Sequence, residues 1–281
     1  MSLLSLIEVA IGRRAMWKIG RRLYLHARRE GSLDFERNGE AYLQRALAQH
    51  SAATDKALRI VDVGANYGQW SRAFLSTLRE SRAPAAELIL FEPVPAIADA
   101  VAGLAAEFPE HRIKLERCAV SDEIGTARMI MTQIEAGNHH LEASSGALQG
   151  EEIEVPVTTL DNYFDAPDHA IDIVKIDAEG FDPKVLAGMK SLLARHAVEV
   201  VQFEYSWLFI RSRAFLHDVF DLAHAHGYQV GLLTGRGVEI HPKWHQDLEK
   251  FNASAMVLLR DTAREWLTAR DVRYRPDNTH D

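Results

Sequence analysis

The amino-acid sequence predicts an α/β protein with a mostly parallel sheet, helices on both faces and an N-terminal helical extension. From residue 58 onward, short β-branched runs alternate with longer stretches of helical periodicity. Residues 60–78 hold a strand, a glycine loop and a helix, and the next such unit begins with a strand that ends in an acid. Strands and helices that alternate in this way form parallel sheets with right-handed crossovers.

The composition is that of an ordinary globular protein. Hydrophobic residues make up 47% of the 281 residues and charged residues 26%, enough for one sizeable domain plus an extension. The net charge of −8 argues against nucleic acid as a partner, because such proteins need a basic surface. The single cysteine, Cys118, rules out an intrachain disulfide and a cysteine zinc site, and it favours a cytoplasmic location.

The N-terminal extension, residues 1–57, begins with a basic block. Residues 1–30 hold seven lysines or arginines and two acids, so the rest of the chain carries −13 of the net charge. The apolar stretch Leu3–Ile11 precedes the arginines, the reverse of a signal peptide, and no apolar run reaches the roughly 18 residues that span a bilayer. We favour a helix that packs on its own domain or on a second subunit in a homodimer. Peripheral contact with an anionic membrane is the alternative.

Each predicted strand is a short β-branched or apolar run bounded by turn-forming residues. The run at 171–176 is strongly apolar, so we expect it at the centre of the sheet, buried on both faces. The predicted strands are Leu58–Val63, Glu87–Phe91, Ile113–Val120, Thr126–Thr132, Glu152–Thr158, Ile171–Ile176, Ala197–Phe203, Tyr228–Leu233 and Ser254–Leu259.

The predicted helices carry apolar residues at helical spacing. Pro183 fits the first turn of one helix, and Gly227 ends another. Residues 134–150, rich in glycine and serine, form an irregular loop in a hairpin-like insertion. Residues 58–260 are thus one domain, followed by a C-terminal helix and polar tail at 261–281. The predicted helices are 38–50, Gln69–Leu78, Ala96–Glu107, Thr159–Phe164, Pro183–His196 and Ser212–His226.

The first candidate site is the glycine loop after the first strand. Gly64 and Gly68 bound this loop, and glycine lets the backbone turn sharply and a ligand approach closely. The spacing differs from the dinucleotide fingerprint, and the P-loop motif does not occur. The loop has no lysine or arginine and follows Asp62. An acid there suits a ligand with an amino group or a cation better than a diphosphate, and S-adenosylmethionine carries both an ammonium and a sulfonium.

Two further candidates follow the next strands. Glu92 ends the second strand, where an acid accepts hydrogen bonds from ribose hydroxyls; a solvated acid is the alternative. Ser121 and Asp122 follow the third strand, where they either meet an adenine edge or form a simple turn. Cys118, on that strand, is most simply a buried structural residue.

Acids also follow the later strands. Asp177 and Glu179 come directly after the long apolar strand, and Glu204 ends the strand after it. Asp177 and Glu204 are candidates for a base and the group that orients it, or for ligands of a hard cation such as Mg²⁺. Asp182 precedes Pro183 and is expected to cap the next helix.

A pair of histidines lies in the irregular insertion. His139 and His140 belong to a segment long enough to lie over a pocket. Imidazole titrates near pH ~6.5, which suits a general base. A plain surface position is the equally open alternative.

Taken in order, these motifs resemble the FkbM-type methyltransferases, a class I, Rossmann-like family. The resemblance covers about 58–260, and K-I-D-x-E-G with T-L-D upstream is its most specific part. The segments that carry it are Val61–Ser71, Phe91-Glu92-Pro93, Ala119-Val120-Ser121-Asp122, Val157-Thr158-Thr159-Leu160-Asp161 and Ile173–Gly180.

The resemblance implies a seven-stranded sheet with an antiparallel last strand, S-adenosylmethionine as methyl donor, and O-methylation of a sugar, glycan or secondary metabolite. The residues that we assign to donor binding from the motifs and their surroundings are Asp62, Gly64, Ala65, Asn66, Gly68, Gln69, Trp70, Glu92, Pro93, Ser121, Asp122 and Asp177. Those assigned to the reaction are Asp177, Glu179, Glu204, His139 and His140.

Two other classes of function remain open at the level of sequence. A nicotinamide-dependent oxidoreductase would use the same loop and Glu92. However, this sequence lacks the third glycine of the dinucleotide fingerprint, and such an enzyme does not need the acidic cluster. A non-catalytic nucleotide-binding or glycan-assembly module would use residues 1–30 as an anchor. The identity of the acceptor cannot be read from these residues.

Overall fold

The computed structural model describes residues 2–28, 34–132, 150–166 and 170–279. Strands and helices alternate through most of these residues, as predicted. The strands are β1 (Arg59–Val63), β2 (Glu87–Phe91), β3 (Arg112–Glu116), β4 (Ala119–Val120), β5 (Gly125–Thr132), β6 (Gly150–Thr158), β7 (Ile171–Ile176), β8 (Val198–Tyr205), β9 (Gln229–Thr234), β10 (Gly237–His241), β11 (Ser254–Leu259) and β12 (Ala269–Asp271).

The helices alternate with these strands and flank the sheet. The α-helices are α1 (Leu3–Ile11), α2 (Arg13–Ala27), α3 (Glu40–Thr54), α4 (Gln69–Glu80), α5 (Pro95–Val101), α6 (Leu104–Glu107), α7 (Leu160–Tyr163), α8 (Asp182–Ala187), α9 (Lys190–Ala194) and α10 (Leu216–Ala225). Short 3₁₀ helices occupy Trp207–Ile210, Gln246–Leu248 and Asp261–Glu265.

The main sheet has the strand order β12-β10-β9-β11-β8-β7-β1-β2-β3. Strands β3, β2, β1, β7 and β8 run parallel, and β11 is antiparallel to both of its neighbours. The predicted mostly parallel sheet with an antiparallel strand at 254–259 is therefore confirmed. The sheet has nine strands rather than seven, because β10 turns back on β9 through a two-residue turn and β12 pairs with β10.

The third predicted strand is wrong in its extent. The main-sheet strand ends at Glu116, and Ala119–Val120 pairs instead with β6 in a separate three-stranded sheet with the order β4-β6-β5. Strands β5 and β6 pair antiparallel, as expected of a hairpin. The helix predicted over 183–196 is divided between α8 and α9 at Gly188. A Cβ atom on Gly188 would lie 2.0 Å from the carbonyl oxygen of Ser121, so the backbones meet there.

The core lies on both faces of the main sheet. In β1, Val61 and Val63 pack with residues of α8 to α10, whereas Ile60 packs with residues of α3 and α4. This alternation is expected, because successive side chains of a strand point to opposite faces. Every residue of β7 is buried, as its apolar run predicts. Helix α3 packs on the same face of the sheet as α4, where Leu43 and Leu47 are buried in the core.

The segments before α3 and after β11 differ in their relation to this core. No residue of α1 or α2 is buried, so the chain's own domain, the first of the two packing partners that we favoured, does not cover these helices. Among the described residues, no helix is long and apolar enough to cross a bilayer. The segment after 260 begins with a 3₁₀ helix at Asp261–Glu265 and then contributes β12 to the sheet edge.

Candidate active site

The candidate site lies at the carboxyl ends of β1, β2, β7 and β8. These four strands are parallel and adjacent, so the residues that follow them meet at one edge of the sheet. That edge is where open α/β sheets bind ligands. The acids that the sequence places after these strands are therefore brought together, as predicted for Glu92, Asp177, Glu179 and Glu204.

The glycine loop after β1 is held against both neighbouring strands. The amides of Gly64 and Ala65 donate to the carbonyl oxygen of Phe91 over 3.0 and 3.1 Å. Gly64 has φ +76°, and a Cβ atom there would lie 2.1 Å from the carbonyl oxygen of Asp177. Because only glycine tolerates both the conformation and the contact, the loop can lie directly against the end of β7.

Glu92 is fixed by two backbone amides. Its Oε2 accepts from the amide of Asn66 and its Oε1 from the amide of Val94, each over 2.9 Å. Burial raises the pKa of Glu92 in spite of these two bonds. Each carboxylate oxygen keeps a further lone pair, so Glu92 can accept hydrogen bonds from a bound ligand.

A cavity of about 680 Å³, including its open mouth, lies between the glycine loop and β4. This volume is within the usual range of small-molecule sites. Both acids and apolar side chains line it. The lining residues are Val63, Gly64, Asn66, Phe91, Glu92, Pro93, Val94, Ile97, Cys118, Ala119, Val120, Met129, Asp177, Ala178 and Glu179. We call it the donor cavity.

A buried lysine lies beneath this site. The Nζ atom of Lys175 lies 3.2 Å from Asp62 Oδ1 and 3.4 Å from Asp177 Oδ2. Burial alone would lower the pKa of Lys175, but the carboxylates of Asp62, Asp177 and Glu40 hold it above its ordinary value. Asp62 also accepts a hydrogen bond of 2.6 Å from the hydroxyl of Ser71. Asp62 is fully buried, so these groups supply its partners inside the protein.

A second cavity, of about 540 Å³, lies on the other side of Asp177. Asp177 lines both cavities, and Glu40 brings α3 to the edge of the second one. Gln202 donates from Nε2 to Glu40 over 2.8 Å, while its own amide oxygen is buried without a hydrogen-bond partner among the described residues. The lining residues are Asn38, Glu40, Lys175, Ile176, Asp177, Gln202, Phe203, Glu204, Ala253, Ser254 and Ala255. We call it the acidic cavity.

Two of the acids at the cavities, Glu179 and Glu204, have raised pKa values. Burial, together with Asp177, raises the pKa of Glu179 to about 7. Burial, with Asp177, Glu179 and Glu40, likewise raises the pKa of Glu204 to about 7. Groups that titrate near neutrality can accept and release protons at physiological pH, which is the property of a general base.

Asp182 is structural, but it does not cap α8 as the sequence predicts, because the N-cap is Phe181 and makes no side-chain cap hydrogen bond. It begins α8, it is buried, and its Oδ2 accepts from the amides of Ala178 and Gly180 over 3.3 Å. Its Oδ1 accepts from the amide of Glu204 over 3.3 Å. These bonds hold the end of β7 against the end of β8, and burial raises the pKa of Asp182 well above its ordinary value.

Other residues assigned from sequence lie away from the cavities. Ser121 and Asp122 do not line the donor cavity, and Asp122 lies 3.5 Å from Lys184 Nζ. Trp70 is buried in the core, where its carbonyl accepts a 3.0 Å hydrogen bond from the side chain of Gln44. Ala65 is also buried, and Gln69 begins α4 on the exposed side. His139 and His140 lie outside the described residues.

Lys175, Glu40 and Gln202 contribute to the site but were not assigned a role from sequence. The sequence does mark Lys175, because a lysine within a buried apolar strand must be paired with an acid. Glu40 has no such mark: it lies over a hundred residues from β7 and β8 in the chain, in a segment predicted to be an extension. Within the described parts of the chain, no group of three or more metal-ligating side chains is arranged to hold a metal ion, so Asp177 and Glu204 have no third ligand there.

Comparison with known proteins adds an independent observation. Residues 62–230, more than half of the chain, match the family model described as methyltransferase FkbM domain. A curated relative, the 31-O-demethyl-FK506 methyltransferase FkbM of Streptomyces tacrolimicus, is 26% identical over 231 residues, which cover 72% of this chain and 80% of the relative.

Solved structures give more distant matches. WbdD superposes with a TM-score of 0.45 at 12% identity over 78% of this chain, and the match covers 39% of the WbdD chain. The plantazolicin methyltransferase BpumL, solved in complex with SAH, superposes with a TM-score of 0.43 at 10% identity, over 79% of this chain and 85% of that one.

Proposed function

The chain belongs to the FkbM methyltransferase family, and from that premise we propose that it transfers a methyl group from S-adenosylmethionine to a hydroxyl of a sugar, glycan or secondary metabolite. The observation that carries the proposal is the position of Asp177, which lines the donor cavity on one side and the acidic cavity on the other. A donor and an acceptor bound in these two cavities would meet at one carboxylate. The name of the curated relative refers to methylation at an oxygen of its own substrate.

The donor cavity fits S-adenosylmethionine in shape and charge. Glu92 offers acceptors for ribose hydroxyls, and the apolar wall around Ile97, Val120 and Met129 suits a flat adenine ring. Asp177 and Glu179 provide negative charge for the ammonium and sulfonium groups. None of the described residues that line this cavity is a lysine or arginine, so the site disfavours the pyrophosphate of a nicotinamide dinucleotide.

The acidic cavity fits a hydroxylated acceptor. Its carboxylates and the unpartnered oxygen of Gln202 are hydrogen-bond acceptors, and a sugar or polyol presents several hydroxyl donors. Leaving such acceptors unpaired in a buried site is costly, so a ligand that supplies donors gains from binding there. Glu40, Asp177 and Glu204 lie around this space.

The chain's own part in the reaction is positioning and proton removal. When bound, S-adenosylmethionine supplies a methyl group that its sulfonium already activates. A carboxylate oxygen of Glu204 is placed to take the proton from the acceptor hydroxyl. It does so as the hydroxyl oxygen attacks the methyl group of the donor. Asp177 orients the acceptor between the two cavities, and Lys175, whose Nζ lies 3.4 Å from Asp177 Oδ2, holds Asp177 in place. Holding the two reactants in line supplies most of the acceleration in such a reaction.

The first test is calorimetric titration of the purified protein with S-adenosylhomocysteine and, in parallel, with NAD. We expect stoichiometric binding of S-adenosylhomocysteine that is lost in Glu92→Ala and retained in Glu123→Gln, a control at an exposed position. Binding of NAD alone would replace the methyltransferase proposal with an oxidoreductase. Binding of neither would indicate a non-catalytic module.

The second test is turnover with hydroxylated acceptors, with and without a chelator. Methylated oxygen detected by mass spectrometry supports the proposal, and methylated nitrogen or carbon contradicts its acceptor class. Loss of turnover on chelation, with donor binding intact, would show that methyl transfer is metal-assisted. Turnover that survives chelation leaves Glu204 to act as the base alone.

A further inference from the structure

Helices α1 and α2 expose an unusual amount of apolar surface. None of their residues is buried, although α1 is almost wholly apolar. Trp17 and Leu23, for example, are each 65% exposed. The exposed large apolar side chains of this pair are Leu3, Leu4, Leu6, Ile7, Val9, Ile11, Trp17, Ile19, Leu23 and Tyr24. Exposed apolar side chains that are concentrated on one segment mark an interaction site rather than ordinary surface.

Helix α2 separates this apolar surface from a basic one. At 3.6 residues per turn, Ile19 and Leu23 fall on one face of the helix. Arg14, Lys18 and Arg22 recur every fourth residue on another face. Helix α2 holds five lysines or arginines and no acid. A basic face opposite an apolar face that carries leucine is typical of helices that lie in a membrane interface. Trp17 flanks the basic face, and the Arg21 guanidinium lies 5.8 Å from the centre of its ring.

The charge of the protein favours an anionic lipid surface over a second copy of the chain. The chain outside residues 1–30 carries −13, so α2 is the part that an anionic bilayer attracts. Two copies of α2, each with five basic residues and no acid, would repel each other in a contact between copies. On the rest of the described chain, the exposed large apolar side chains are fewer, Tyr67, Ile124, Trp207, Ile210 and Phe215, so the exposed apolar surface is concentrated on α1 and α2.

The end of α2 is attached to the domain. Arg28 donates to the backbone oxygen of Asp247 over 3.2 Å and to the hydroxyl of Tyr274, and its guanidinium lies 5.6 Å from the centre of the Tyr274 ring. Helix α2 is thereby linked to the catalytic domain at its C-terminal end, while its apolar face stays exposed.

We propose that residues 2–28 bind the surface of an anionic membrane, with the apolar face of α2 and the side chains of α1 in the acyl boundary and the basic face among the headgroups. The proposal does not depend on the acceptor or on the reaction. It predicts that the enzyme works at a membrane surface without spanning it, since no described helix could cross a bilayer.

The test is co-sedimentation of the full chain with vesicles. The probes are vesicles of phosphatidylglycerol and phosphatidylcholine in equal parts, compared with phosphatidylcholine alone. We expect binding to the anionic vesicles only, and its loss at high salt, where charges are screened within about 3 Å. Equal binding to both kinds of vesicle, or binding to neither, would overturn the proposal.

Paired variants separate the basic and apolar contributions. Each lysine or arginine near an anionic surface contributes about a five-fold gain in binding, so Arg14→Gln with Arg22→Gln should weaken binding about 25-fold. Lys190→Gln with Arg236→Gln changes the same charge at exposed positions of the domain and should have little effect. Leu23→Ser should weaken binding about ten-fold or more, whereas Ile124→Ser, at a side chain equally exposed, should not.

Two readouts complete the test. The fluorescence of Trp17, isolated as the difference from Trp17→Phe, should shift to the blue when anionic vesicles are added, because the ring moves out of water. Light scattering in the absence of lipid should give a mass that Leu23→Ser does not change. A stable dimer that Leu23→Ser dissociates would assign the apolar face to a second copy and overturn the membrane proposal.

Discussion

The ionisation of Glu204 depends on its neighbours more than on its own chemistry. Burial and three nearby carboxylates raise its pKa to about 7. Only the ionised form can accept the proton of a hydroxyl. We therefore expect the rate of methyl transfer to rise with pH up to about 7 and then to level off.

Substitution tests this assignment of the base. Glu204→Gln should lower kcat about 100-fold or more and remove the rise near pH 7, while Glu123→Gln should keep both the rate and the profile. Glu179 has a pKa of about 7 as well. If Glu204→Gln kept the profile and Glu179→Gln lost it, Glu179 would be the base. The profile is measured with saturating donor, so that binding does not obscure it.

Lys175 balances two acids in the core, and its removal should be costly. Lys175→Met leaves Asp62, which is fully buried, without its positive partner. Removing one member of a buried pair costs about 3–5 kcal/mol, which urea denaturation would measure. Adding Asp62→Asn should recover part of that loss, because the orphaned charge is gone. A double variant less stable than Lys175→Met alone would contradict this account.

The surface lysine Lys114 is a matched control. Its Nζ lies 2.7 Å from Glu116 Oε1, but more than half of its side chain is exposed. An exposed pair contributes at most about 1 kcal/mol, so Lys114→Met should change the free energy of unfolding by no more than that. Because both lysines form an ion pair, the difference between the two losses in the free energy of unfolding measures the effect of burial.

The positions of Gly64 and Glu92 at the donor cavity could be predicted from sequence because they depend on local order. Gly64 follows β1 and Glu92 follows β2, and the ends of parallel strands meet whatever the rest of the chain does. Glu40 could not be predicted, because its contact with Gln202 is made across 162 residues. No local feature of the sequence around Glu40 or Gln202 marks a contact between residues so far apart in the chain.

At the scale of elements, the two N-terminal helical segments behave in opposite ways. Helix α3 packs against α4 and into the core beside the sheet, whereas α1 and α2 bury no residue. Both segments have apolar residues at helical spacing, so periodicity alone predicts a helix in each but not its partner. The short strands β10 and β12 were missed for a related reason: they exist through pairing at the sheet edge and have little pattern of their own.

A pair of leucine substitutions measures this difference. Leu47 in α3 is 1% exposed, and Leu6 in α1 is 53% exposed. Leu47→Ala should lower the free energy of unfolding by about 2–4 kcal/mol, since it leaves a cavity. Leu6→Ala should change it by less than about 0.5 kcal/mol. Equal effects in urea denaturation would mean that α1 packs on the domain in solution.

At the scale of the whole molecule, the acidic clusters at the two cavities oppose folding at neutral pH. Burial and mutual repulsion raise the pKa values of Glu40, Glu92, Glu179, Asp182 and Glu204 in the folded protein. The unfolded chain has the ordinary values, near 4. Function thus places several carboxylates where stability alone would favour none, as is common at active sites.

The sign of the resulting pH dependence follows from proton binding. Between pH ~4.5 and ~7 the folded protein binds more protons at these sites than the unfolded chain does, so its stability falls as pH rises. The stability that these protonated acids contribute is fully present below pH ~4.5 and is lost as Glu179 and Glu204 ionise at about 7. We therefore expect the urea midpoint to decline from about pH 5 to about pH 8 in the wild-type protein. In Glu179→Gln with Glu204→Gln that decline should be shallower, and the double variant should be more stable than the wild type at the upper end. A decline of equal slope in both proteins would show that the acids at the two cavities are not its source.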